Sequence, residues 1–124
     1  WNSLAVLPQH GQPQTLEVPT ISVDAFVEQH ITNRPIKLIK IDVEGWELPV
    51  LQGAKQLLSG KNPPILMVEF TEENARSAGF SCKQVYQFVQ EFGYQWFVYQ
   101  KGQLVPALLK EEYPYENLYG FKKQ

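Results

Sequence analysis

Two apolar runs of the chain end in carboxylates: Ile36 to Val43 (IKLIKIDV), which carries Asp42 and leads into Glu44-Gly45, and Ile65 to Phe70 (ILMVEF), which carries Glu69. A carboxylate closing a buried strand must find a partner or shift its pKa, so Asp42 and Glu69 read as functional residues first. Period-2 alternation puts Asp42 and Glu44 on one side of the first strand and Val43 on the other. If the two strands are neighbours, Asp42, Glu44 and Glu69 converge on one rim. Such a cluster can act as a general base, hold a divalent cation through oxygen ligands, or hydrogen-bond the hydroxyls of a ligand. Gly45 is the turn residue, needed for positive φ or for close approach of a ligand. Trp46, beside the acidic turn, is the aromatic suited to line a pocket. Glu44 and Glu47 also lie at a helix start, where the dipole favours a carboxylate by ~0.3–1 kcal/mol, and capping is a sufficient account of Glu47.

The remaining reactive side chains carry less. His10 and His30 lie far apart, neither beside a Cys, Asp or second His at ligand spacing, so no metal-ligand pattern is formed. Cys82 reads as a small apolar residue in the first turn of a helix. As the single cysteine it can form no intrachain disulfide, which points to a reducing compartment, the cytoplasm. Eleven Lys and Arg against thirteen Asp and Glu leave a net charge of -2 with no run of like charges, which argues against a nucleic-acid groove. The longest apolar run, Ile65 to Val68, falls far short of the ~20 residues of a membrane span.

The elements that must position these groups follow from patterning. Leu16 to Val23 alternates and is β-branched, predicting a strand that Pro19 confines to an edge or a bulge. Asp24 is expected to cap a short helix from Ala25 to about Ile31. Ile36 to Val43 reads as a buried, parallel strand, and Leu48, Leu51, Ala54 and Leu58 give a helix from about Trp46 to Ser59, with Pro49 in its first turn. Ile65 to Phe70 is a second buried strand. Ser81 and Gln84 form a capping box, with Phe80 and Val85 as its staple, for a helix whose stripe is Val85, Phe88, Val89 and Phe92 and which ends at Gly93. Tyr94 to Gln100 follows as a strand with a buried aromatic face, Lys101-Gly102 turns the chain, and Leu118 to Lys122 is a last strand. The sum is an open α/β sheet, in which ligands bind beyond the carboxyl ends of the strands.

The stretch Lys37-Leu38-Ile39-Lys40-Ile41-Asp42-Val43-Glu44-Gly45-Trp46-Glu47, with Val50-Leu51-Gln52-Gly53-Ala54, resembles the K-x-D-V-E-G-x-E-x-x-V-L-x-G signature of the FkbM family of methyltransferases. Val18 to Phe26 is similar to that family's V-x-T-x-x-x-D-x-F segment, and Pro64 to Glu69 to its P-x-I-x-x-E strand. The likeness covers roughly residues 15 to 100. It implies an S-adenosylmethionine-dependent methyltransferase with a Rossmann-like, three-layer α/β/α sheet, methylating a hydroxyl oxygen of a sugar or other small molecule. By motif position, Asp42, Glu44 and Gly45 end the fourth strand beside the reactive methyl, Glu69 ends the fifth, and Asp24 lies after the third. Catalysis then falls to Asp42, Glu44 and Glu69, cofactor binding to Asp24, Asp42 and Gly45, and substrate contact to Trp46.

One departure from the family stands out. Its glycine-rich D-x-G-A-N-x-G loop is missing, and the eight glycines, at 11, 45, 53, 60, 79, 93, 102 and 120, form no cluster. The start Trp1-Asn2-Ser3-Leu4, without an initiator Met or a signal peptide, also fits a piece of something longer. The expectation is the C-terminal half of a methyltransferase domain, with a partial sheet lacking its first strands. The Ile36–Val43 strand then presents an unpaired edge, through which self-association is expected. Two other readings compete: a non-catalytic α/β scaffold, and a nucleotide-binding oxidoreductase, which would need a phosphate-cradling loop.

Overall fold

The computed structural model describes residues 15–123, in which five strands form one mixed sheet. They are β1 (Leu38–Ile41), β2 (Ile65–Phe70), β3 (Tyr94–Gln100), β4 (Gln103–Pro106) and β5 (Glu116–Lys122). The spatial order is β1-β2-β5-β3-β4. β1 and β2 pair in parallel, β5 is antiparallel to both β2 and β3, and β4 is antiparallel to β3. The strands β1, β2 and β3 therefore point the same way, and their carboxyl ends share one rim.

The helices are α1 (Val23–His30), α2 (Glu47–Gln52), α3 (Lys55–Ser59), α4 (Glu72–Ser77) and α5 (Cys82–Gln90). The capping box at α5 is formed, Ser81 Oγ accepting from the Gln84 N–H at 3.2 Å and the Gln84 side chain accepting from the Ser81 N–H at 2.9 Å. Its stripe is rotated relative to expectation: Cys82, Val85, Tyr86 and Val89 are buried, while Phe88 and Phe92 pack against each other at the margin, ring centroids 5.2 Å apart.

Four expectations are corrected. Leu16 to Val23 forms no strand; Pro19 has no N–H for a ladder, and Leu16, Val18 and Ile21 are exposed. Ser22, not Asp24, caps α1, its hydroxyl accepting from the Ala25 N–H at 3.1 Å. The helix expected over Trp46–Ser59 is broken at Gly53-Ala54 into α2 and α3. Asp24 holds the break: its N–H donates to the Gly53 carbonyl at 2.8 Å, and its carboxylate accepts from the N–H groups of Gln56 at 2.9 Å and Leu57 at 3.1 Å, in the first turn of α3. β1 is shorter than expected and mostly unburied, with Leu38 exposed to 54%, while its place at the end of the sheet is the one the half-domain reading gave it. Two elements were not foreseen. α4 is short and polar, and β4 returns from Lys101-Gly102, whose φ values of 50° and 80° are those of a tight hairpin turn.

The two faces of the sheet differ sharply. Ile41, Leu66, Val68, Phe70, Leu118, Tyr94, Trp96 and Val98 are buried on one face against the helices. Phe70 and Trp96 meet edge to face at 5.3 Å, and the Trp96 indole N–H donates to the Tyr86 carbonyl at 3.1 Å. In register with them, the other face carries Leu38, Ile65, Met67, Phe97, Tyr99, Leu104, Tyr119 and Phe121, none of which is buried. The aromatic run of β3 is thus divided, Tyr94 and Trp96 inside, Phe97 and Tyr99 on the open face. A half-solvated sheet ordinarily turns polar residues outward; here Lys40, Gln95, Glu69 and Asn117 share that face with an apolar majority. No helix among the described residues is long and apolar enough to cross a membrane.

Candidate active site

The rim begins with the register of the two parallel strands. Ile41 is the partner of Val68, so the next residues, Asp42 and Glu69, stand side by side beyond the carboxyl end of β1. Burial raises the Glu69 carboxyl above its ordinary value of 4.5. A hydrogen bond with the Asp42 carboxylate and the charges of Asp42 and Glu47 push it the same way, while the Thr71 hydroxyl, donating to Glu69 Oε1 at 3.1 Å, pulls it back. Asp42 is exposed and Glu69 half-buried, so the pair faces a site that a ligand can reach. His10 lies outside the described residues. His30 sits in the last turn of α1 against the Phe26 ring, centroids 4.7 Å apart. Among the described residues no group of three or more His, Cys, Asp or Glu is placed to hold a metal ion.

The shift of Glu69 has a consequence for stability. Its folded value is raised, so the folded state holds the proton more tightly than the unfolded chain does. Stability from this source is present below the ordinary carboxyl value and is lost as pH rises through the raised one. Glu69→Gln, which keeps the shape without the charge, is expected to melt above wild type at neutral pH, with the gap closing as pH falls below the ordinary carboxyl range. Parallel urea titrations of the two proteins at several pH values check it; a gap that is constant with pH would contradict the assignment.

After Ile41 the strand alternation stops. Glu44 has φ 50° and Gly45 φ 110°, so the chain turns sharply, and Glu44 is not among the charges acting on Glu69. Strand period therefore ends before Glu44, and Asp42 and Glu47 are the carboxylates that act on Glu69. Glu47 is 5% exposed, and its carboxylate accepts from the N–H of Val43 at 3.2 Å and of Gly45 at 3.0 Å. It ties the turn from inside, bonding N–H groups ahead of α2 rather than capping the helix's own first turn. Gly45 is irreplaceable on two counts: its positive φ, and the Asn74 carbonyl oxygen of α4, which would lie 2.2 Å from a Cβ.

Two atoms of this turn are left over. Glu44 Oε2 and Trp46 Nε1 are buried and have no hydrogen-bond partner among the described residues. Buried polar groups are almost always paired, so an acceptor and a donor both left over within three residues, one on a left-handed backbone, single out this turn. The Trp46 ring stands edge-on to Phe80, centroids 5.8 Å apart, which fixes its orientation. Cys82 is buried, and burial together with the adjacent Glu72 carboxylate drives its thiol far upward, so it is a small apolar side chain and no nucleophile.

A residue absent from the sequence-based set joins the rim. Glu69 is the Cα partner of Asn117 on β5. Asp42, Glu69 and Asn117 thus form a row across three adjacent strands on the open-face side. The one signal for it in the sequence is an Asn, a poor strand former, at the entrance to an apolar strand.

The chain matches the family model described as the methyltransferase FkbM domain over residues 7–96 of its 124. No curated protein and no solved structure matches it. The match runs through the whole acidic rim apart from Asn117, from the Asp24 clamp to the strand that ends at Glu69, and the mixed α/β sheet agrees with it. By this match, which covers more than half of it, the chain belongs to the FkbM methyltransferase family.

Proposed function

We propose that this chain is the acceptor-side half of an S-adenosylmethionine-dependent O-methyltransferase domain, acting on a hydroxyl of a small molecule or sugar. The carboxyl pair Asp42–Glu69 at the end of two parallel strands, where α/β sheets bind ligands, carries the reading. When bound, S-adenosylmethionine supplies an electrophilic methyl: the oxygen–carbon bond forms as the carbon–sulfur bond breaks, and the thioether leaves with the electron pair. The residues of this chain do the rest. Asp42 takes the hydroxyl proton, and Glu69, its carboxyl raised by burial and by Asp42, steadies the Asp42 side chain by hydrogen bonding. The orphaned Glu44 Oε2 and the close backbone at Gly45 suit the polar groups of the cofactor, and the Trp46 indole N–H suits the acceptor. Asp24, the other expected cofactor residue, is committed by its carboxylate to the first turn of α3.

The glycine-rich loop of the family is not in this sequence, and the half-domain reading places it on other residues of the parent protein. The free edge of β1 and the apolar open face support that placement, since both present surface that a larger sheet with helices on its second side would cover. A cytoplasmic enzyme is the matching compartment for a chain with a single buried thiol.

The test is calorimetric titration of the 124-residue chain with S-adenosylhomocysteine, which resembles the methyl donor but has no methyl to give. Saturable binding, weakened when Glu44→Gln exchanges the orphaned acceptor for a donor, is the expected result. A cooperatively melting chain that binds nothing would leave the second reading, an α/β scaffold without catalysis.

A further inference from the structure

We infer that Asn117 is an acceptor-binding residue of this site, its amide donating a hydrogen bond to the hydroxyl oxygen that becomes methylated. The inference rests on the methyltransferase reading and adds to it a residue from outside the family match, which ends at residue 96. The argument is one of register. β1 and β2 align Ile41 with Val68, which sets Asp42 beside Glu69, and β2 and β5 align Glu69 with Asn117. Residues directly opposite on adjacent strands project to the same face with Cβ atoms ~4.5–5.5 Å apart. A carboxylate, a carboxyl and an amide therefore stand in one line along the rim.

The three groups differ in what they can offer. Asp42 and Glu69 are acceptors, or hold one proton between them, so neither steadies the lone pairs of an incoming hydroxyl oxygen. Asn117 supplies the missing donor. Among the described residues its side-chain amide makes no hydrogen bond, although it is half-buried and sits in a strand where Asn is disfavoured. With the amide N–H on the oxygen and a carboxylate on the proton, the hydroxyl is held from two sides and one lone pair is left pointing away from the rim. A serine, alanine or threonine would fill the strand position at less cost, which leaves the amide as the reason for Asn.

Two measurements test this. In the complete methyltransferase domain, transfer of labelled methyl to three probe acceptors, glucose, glycerol and phenol, is compared for wild type, Asn117→Ala and Asn117→Asp. With the best probe, Asn117→Ala is expected to lower kcat/KM by about 10- to 100-fold while S-adenosylhomocysteine affinity stays unchanged. Asn117→Asp is expected to lower it at neutral pH and to recover part of the rate at lower pH, where the added carboxyl is neutral. Unchanged kcat/KM in an active domain, or a loss matched by an equal loss of S-adenosylhomocysteine binding, overturns the role of Asn117 and leaves the methyltransferase reading standing. No transfer by the wild type to any probe overturns both. In the 124-residue chain, carbon-13 NMR of the Glu69 carboxyl reads the row without any reaction: Asn117→Asp is expected to raise the Glu69 pKa further, and an unmoved titration would show that the two side chains are not neighbours.

Discussion

Replacing Asp42 with Asn is expected to lower methyl transfer by about 10²- to 10⁴-fold, with S-adenosylhomocysteine affinity changed by less than about tenfold. The side chains are the same size, and the Asn carbonyl still accepts a hydrogen bond, so the turn after β1 keeps its shape. What is lost is the ability to take a proton at neutral pH. The hydroxyl oxygen must then attack while still protonated, or give its proton to Glu69, which in this mechanism holds Asp42 rather than the hydroxyl. A second readout accompanies the first. Asp42 raises the Glu69 carboxyl both by hydrogen bond and by charge, so in Asp42→Asn the Glu69 titration is expected to fall toward the ordinary range. Turnover equal to wild type would remove Asp42 from the mechanism, whatever Glu69 does.

Gly45→Ala is expected to be the most destabilising single methyl in the turn, at about 2–6 kcal/mol, the sum of backbone strain at positive φ and the displacement of α4 by an overlapping Cβ. The overlap is with backbone, the Asn74 carbonyl carbon and oxygen at 2.7 and 2.2 Å, and cannot be relieved by a side-chain rotation. Gly79→Ala provides the control. Its φ of 89° is similarly unfavourable for Ala, but nothing lies within 4 Å of the added methyl. That variant is expected to lose only the strain, about 1–2 kcal/mol. Urea midpoints at equal slope compare them. If the two variants lose the same amount, the close approach of α4 to the turn is wrong.

The strands with unbroken apolar runs and the helix with both a cap and a stripe were legible in the sequence because each is specified locally. β2, β3 and α5 are of this kind. The split of α2 from α3 was not, because it depends on Asp24, more than thirty residues away, offering its carboxylate to amides that a continuous helix would have satisfied internally. The local signal at Asp24, a capping residue before an apolar stripe, was real and was outcompeted by Ser22 two residues earlier. β4 has no periodicity of its own and exists because β3 offers it an edge. At the site, Asp42 and Glu69 were legible because charge at the end of an apolar run is rare. Glu44 was misplaced because strand period was carried past Ile41 into a turn with left-handed backbone. Asn117 was invisible because register between distant strands is a property of the folded sheet alone.

The position of β5 has a consequence for how the protein is made. This last described strand lies between β2 and β3, so the two strand pairs β1–β2 and β3–β4 are joined through residues made after both. Until then β2 and β3 have no bridge, and the nascent chain carries two unsatisfied strand edges and the exposed side chains of the future core. The β3–β4 hairpin can form early from neighbouring residues, but closure of the sheet waits until β5 has emerged. A chain cut before Glu116 thereby holds not a shortened sheet but an aggregation-prone pair of separated pieces.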